Sequence, residues 1–287
     1  MHIGIIGAGK VGFSLGKYFS EHEITITGYY SQNPESAKEA SRFTNSKFYS
    51  NLNRLVDDSN IIFITVPDSK ITSVYDKIKH MQIANKHICH CSGAMTVAEA
   101  FPDIINYHAY GYAIHPLFPI SSKYYSYLEL KNAFFCIEGD KAYLDKWEYF
   151  FRKLGNPVRM ISAETKTEYH TACTIASNFV CGLLAESIAL LEKCGFTQEE
   201  ALVALKPLVM NNINRIFEVN PVNALTGAIE RCDSLTIRKH LACLDSELDL
   251  KIYQSMSLKL IELAQEKHPD INYESMKQII KDICFIV

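Results

Sequence analysis

Gly7, Gly9 and Gly12 stand in the spacing G-x-G-x-x-G, directly after the apolar run "HIGII" and ahead of a helical pattern. A short buried strand that turns on glycines into a helix commits the chain to a βα beginning, and the spacing narrows it further. Gly7 permits a tight turn, Gly9 leaves a diphosphate room to approach bare backbone, and Gly12 lets the helix lie close on the strand. The helix start, from Lys10 and Val11 to Gly12, presents unpaired N–H groups and a partial positive charge, which suits an anion. The helical stretch carries Phe13, Leu15, Gly16 and Phe19 on its small, apolar face.

The alternation continues. "EITITGYYS" predicts a second strand and "NPESAKEASRF" a helix with Pro34 in its first turn. "DDSNIIFITVPDS" reads as an apolar strand of the kind that suits a sheet covered on both faces. "SKITSVYDKIKHM" reads as helix, "NKHICHCSG" as strand and "TVAEAF" as a short helix. The pattern is looser from Asn106 to Val158, where "AIHPLFPI", "NAFFCIEG" and "PVRMI" predict strands and "KAYLDKWEYFFRKL" an amphipathic helix. Beyond Ser162 long helical patterns dominate. The fold class expected is α/β, a doubly wound parallel Rossmann sheet over residues 1–161 followed by an all-helical domain over 162–287.

In such sheets ligands lie outside the carboxyl ends of the strands. The second strand ends in Ser31, Gln32 and Asn33, with no carboxylate before Glu35. An acidic residue there would accept from a ribose 2′-hydroxyl, whereas neutral donors tolerate a 2′-phosphate. The cofactor expected is NADP(H), with NAD and a deazaflavin as alternatives, although no arginine stands by to grip the phosphate. Asn33 also suits the cap of the following helix. Two further strand ends complete the expected cofactor set, Val66, Pro67 and Asp68 in "VPDS" and Ser92 and Gly93 in "CSGA".

Composition bounds the partners. A net charge of -3 with 21% charged residues gives no footprint for nucleic acid or an anionic membrane. No apolar run is expected to reach the length of a membrane span, and no signal-peptide pattern opens the chain. Nine scattered cysteines fit reduced thiols in the cytoplasm better than a disulfide framework. The densest spot, "HICHC", alternates along a strand, so Cys89 and Cys91 share one face and His90 takes the other. That geometry does not close a metal site, and no metal is expected.

The segments "GAGKVG", "GYYSQNPESA", "VPDS", "CSGAMT", "HPLFP", "YHTACTIASN" and "ALTGAIERCDSLTIRKHL" span nearly the full length. Through them the chain resembles the bacterial Rossmann-like proteins with an uncharacterised all-helical C-terminal domain. These are relatives of pyrroline-5-carboxylate reductase, ketopantoate reductase and the 3-hydroxyisobutyrate dehydrogenases. The resemblance implies an NADP-dependent oxidoreductase acting on a small carbonyl, imine or hydroxy acid. It also implies a lysine with a polar partner four residues later on the first helix of the second domain. Departures fall at Ala228, where the family has proline, at Cys232, where it has glycine, and at Phe118, where a polar residue is common.

Lys166 and His170 occupy that spacing and share a helical face, with Ser177 on the same stripe and Asn178 at its edge. Hydride arriving at a carbonyl or imine puts charge on the heteroatom, which a positioned acid must meet. A lysine ammonium can stabilise it and a histidine can shuttle the proton. Asn178 can fix a substrate carbonyl or carboxylate. Lys166, His170 and Asn178 are therefore the expected catalytic residues, with His115 a further candidate at a strand end. The equally available structural reading makes Lys166 a solvated first-turn residue and His170 a hydrogen-bonded interior one. Arg231 could bind an acidic substrate or sit in a surface salt bridge. A small-molecule substrate and a homodimer are the partners expected, the pairing because long apolar helices such as "IASNFVCGLLAESIALL" are easier to bury between two chains. A nucleotide-binding regulator without chemistry is the alternative from another class.

Overall fold

The computed structural model describes residues 1–282. Strand and helix alternate through the first half: β1 (His2–Ile6), α1 (Lys10–Glu21), β2 (Thr25–Tyr30), α2 (Pro34–Phe43), β3 (Lys47–Phe48), α3 (Leu52–Asp57), β4 (Ile61–Ile64) and α4 (Asp68–Ile78). There follow β5 (His87–His90), α5 (Val97–Ala100), β6 (Tyr110–Leu117), α6 (Ser126–Glu129), β7 (Phe134–Gly139), α7 (Leu144–Lys153) and β8 (Val158–Met160). The rest is helical: α8 (Lys166–Lys193), α9 (Gln198–Val219), α10 (Pro221–Ala224), α11 (Ser234–Ala242), α12 (Glu247–Lys267) and α13 (Glu274–Asp282).

Among the described residues one sheet forms, in the order β3-β2-β1-β4-β5-β6-β7-β8. The chain reverses direction across the sheet between β1 and β4, which is the switch point of a doubly wound fold. Neighbours run parallel except β6 and β7, which pair antiparallel from Tyr112 opposite Gly139 to Leu117 opposite Phe134. The expected doubly wound parallel sheet is what forms, with β7 as its antiparallel member. It re-enters beside β6 running the other way, and β8 follows it in parallel.

Both faces are covered, as the unbroken apolar character of β4 requires. One core gathers Phe13, Phe19, Phe63, Trp147 and Phe151 with Cys89. The other gathers Ile62, Ile64, Tyr75, Ile88 and Phe101. Strand alternation sorts the "HICHC" segment as expected: Cys89 joins the first core with Cys91 packed against it, while the His90 ring meets Phe101 edge-on in the second.

Two compact units part between Ser177 and Asn178. The composition changes near Ile161, but the first unit keeps the opening turns of α8, because their side chains bond into β6 and β7. The second unit has its own core of Ile237, Leu241, Ile261, Tyr273 and Met276 from α11, α12 and α13. Caps match residue types: Thr197 and Glu200 form a capping box at α9, and Asp233 accepts from Thr236 N at α11. One expectation needs correcting. By length and composition α8 is apolar enough to cross a membrane, and its most apolar stretch is not buried within the chain.

Candidate active site

The first turn behaves as its glycines require. Gly7 holds φ +108, a region that other residues rarely adopt. A Cβ on Gly12 would lie 2.4 Å from the Gly7 carbonyl and 2.5 Å from Thr65 Oγ1, so only glycine lets α1 close on the strands. A Cβ on Gly9 would meet nothing within 4 Å. The fold itself does not require glycine there, and the space it leaves open is what an approaching diphosphate needs.

That space opens into a cavity of about 280 Å³ beyond the carboxyl ends of β1, β2 and β4. Gly7, Gly9, Ser31, Gln32, Val66 and Pro67 line it together. Asn33 does not: its side chain accepts from Glu35 N as the cap of α2. Lys10 and Val11 open α1, with Val11 packed against the first core. Asp68, Ser92 and Gly93 lie off the cavity. Ser92 Oγ donates to Asp68 Oδ2 at 2.6 Å while accepting from Ala94 N and Met95 N. One hydroxyl thus shapes the turn after β5 and ties it to the start of α4.

A second group of side chains gathers where β5 and β6 end. His90 pairs with Ala113 and Ala113 with Glu138, so His90 and Glu138 project from one face. His115, two residues beyond Ala113, projects from it too. The first turns of α8 complete the cluster. Tyr169 Oη lies 2.6 Å from His115 Nδ1, and the His115 and His170 rings stand 6.5 Å apart. Gly93 lies between them: a Cβ there would sit 2.7 Å from His170 Cδ2 and 3.0 Å from His115 Nε2. Burial, and then the neighbouring His170 and Lys166, pushes His115 down to about 4 against the pull of Asp68. His90 is fully buried and pushed down to about 3, chiefly by burial. Both rings are neutral at pH 7.

Lys166 is not solvated. It is 2% exposed, and its ammonium lies 3.3 Å from Glu138 Oε2, an oxygen that also accepts from Val97 N. Burial lowers the Lys166 pKa, opposed by Glu138. Lys166 and His170 do share a face, with different work: the lysine is committed to a strand carboxylate and the histidine faces Gly93. The Ser177 hydroxyl turns back onto the Cys173 carbonyl, and Asn178 is an exposed residue of the second unit.

A family profile described as a Rossmann-like domain matches residues 1–116, and one described as a domain of unknown function, DUF2520, matches residues 133–260. The two matches follow one another along the chain. The DUF2520 match begins before β7, so it takes in Glu138 as well as the α8 residues. No curated protein matches the chain. Among solved structures, a provisionally assigned NADP oxidoreductase from Bacteroides fragilis is 21% identical, covering 91% of this chain and 98% of that one with a TM-score of 0.71. A pyrroline-5-carboxylate reductase from Coxiella burnetii is 11% identical over 92% and 93%, at TM-score 0.57. An imine reductase from Myxococcus stipitatus, solved with NADP+, is 14% identical over 98% and 93%, at TM-score 0.59. These likenesses establish the fold.

Four contributors to this region were not expected from the sequence. Glu138 reads as an unremarked strand residue, and only the β6–β7 register brings it under Lys166. Tyr169 sits between two residues that were singled out, with nothing to distinguish it. Lys70 and Lys77 on α4 line the cavity, although their seven-residue spacing was open to inspection.

Proposed function

We propose that the chain is a nicotinamide-dependent oxidoreductase that prefers NADPH and reduces a small carbonyl or imine, or runs the reverse oxidation. The observation that carries this is the convergence of His115 and His170 on Gly93, at the strand end next to those that frame the glycine-turn cavity. The open Cβ position of Gly9 and the absence of a carboxylate from the cavity lining fit a 2′-phosphorylated dinucleotide. The similar structures from Bacteroides fragilis, Coxiella burnetii and Myxococcus stipitatus are all named as oxidoreductases or reductases, which supports the class.

Gly7, Gly9 and the first N–H groups of α1 would hold the diphosphate, and Ser31 and Gln32 the adenosine ribose. When bound, the dinucleotide supplies or accepts the hydride. The protein's part is to meet the charge on the substrate heteroatom. A neutral His115, its Nδ1 engaged by Tyr169, turns Nε2 toward Gly93, where an N–H can donate to a developing oxyanion or amine. His170, half-buried beside it, is placed to pass a proton between this point and solvent. Lys166 acts through Glu138, fixing the start of α8 and with it Tyr169 and His170.

The test is NADPH oxidation across a panel of keto acids, ketones and cyclic imines. His170→Ala and His115→Ala are expected to lower turnover by about 100-fold each while leaving NADPH affinity within a few-fold. Nucleotide binding with no turnover on any substrate would replace the enzyme with a nucleotide-sensing protein.

The homodimer is proposed with it. Phe179, Leu183, Leu202, Leu208 and Phe217 on α8 and α9 are exposed in the single chain, and exposed apolar patches mark interaction surfaces. A second copy presenting the same two helices covers them symmetrically.

A further inference from the structure

The second strand ends without the basic residue that a 2′-phosphate calls for, yet the cavity wall opposite is basic. Lys70, Ser73 and Lys77 of α4 all line it, three and then four residues apart, so one stripe of that helix faces the space between itself and the end of β2. Val74, between them, gives the same wall an apolar patch for a purine. Across the cavity stand Ser31, Gln32 and Ser36, all neutral hydrogen-bonding groups. Among the described residues no aspartate or glutamate lines the space, and Glu35, the first carboxylate after β2, is turned to Lys38 at 2.8 Å. Among the described residues neither the Lys70 nor the Lys77 ammonium is in an ion pair, whereas their helix neighbour Lys79 is bound to Asp76.

Resting on the nucleotide reading above, we propose that Lys70 and Lys77 of α4 form the 2′-phosphate subsite, supplying from the far wall the cations that the β2–α2 turn lacks. A 2′-phosphate carries close to two negative charges at pH 7. Two flexible ammoniums can neutralise it without the fixed fork geometry of an arginine, and the neutral donors across the cavity complete its hydrogen bonds. Specificity for NADPH over NADH is then built from charge on α4, with the β2 end merely permissive.

The experiment measures the affinities of NADPH, NADH, adenosine 2′,5′-bisphosphate and 5′-AMP by calorimetry. It uses the wild type, Lys70→Ala, Lys77→Ala, the double variant, and Lys38→Ala as a control away from the cavity. Both lysines are exposed, so thermal melts should coincide with wild type. Each single change is expected to weaken NADPH and the bisphosphate by about tenfold. The double should bring NADPH to the NADH level, with NADH and 5′-AMP held within about twofold. Equal weakening of NADPH and NADH would place the lysines on the diphosphate and overturn the proposal, and so would unchanged NADPH affinity in the double. A wild type that binds neither dinucleotide would instead overturn the nucleotide reading beneath it.

Discussion

At the scale of single residues, two positions set against each other show what local geometry decides. The backbone of Gly93 is open to any residue, so its glycine is explained by the imidazoles around it. Gly93→Ala puts a methyl 2.7 Å from the His170 ring, and the histidines must move apart. Turnover is expected to fall by about 100-fold, the cost of a displacement near 1 Å, with the thermal midpoint little changed. An active alanine variant would show that the two rings need not converge. Cys232 is the reverse case. It holds φ +56, the left-handed region that glycine favours, at the position where the resembled family carries glycine. The departure thus bears on backbone strain in a turn. Cys232→Gly should stabilise the protein by about 1 kcal/mol, read from the urea midpoint.

Elements bring together residues that the sequence holds far apart. Lys166 and Glu138 are buried at the crossing of α8 and β7, and removing one partner of such a pair leaves a stranded charge. Lys166→Met is expected to cost about 3 kcal/mol in denaturant titration, and Lys166→Met with Glu138→Gln to recover most of it. The same face of the sheet governs acid sensitivity. The folded state holds His90 near 3 and His115 near 4, below the unfolded value near 6.5, so the unfolded chain takes up the extra protons. The contribution of these rings to stability is complete above pH 6.5 and falls as pH drops from there toward 4 and 3, by about 1.4 kcal/mol per pH unit for each ring. Urea titrations at pH 7, 6 and 5 should show this slope, and His90→Gln should remove about half of it. Strand periodicity and glycine spacing made β1, β2, β4 and β5 legible, because these signals are local. The reversal of β7, the two-residue β3 and the short α3 were not, since pairing partners and brief elements leave no period to read. For the same reason His170 could be nominated from helix spacing while Glu138 could not. His115 could be nominated because strand ends are where such sheets place their chemistry, and of the two roles open to Asn33, ligand contact and helix cap, the cap is the one its side chain takes.

For the whole molecule, the informative surface is the apolar one on α8 and α9. Light scattering of the purified protein should give a dimer mass. Phe179→Glu with Leu183→Glu, on an exposed stretch of α8, should yield monomers that retain the glycine-turn cavity and hence NADPH binding. A monomeric wild type, or one recovered with membranes, would sink the pairing. If these side chains are hidden only when two copies meet, mass action enters the protein's resistance to heat. The melting temperature should then climb with protein concentration in the wild type and stay level in the charged variant, so that dilution alone would weaken one and spare the other.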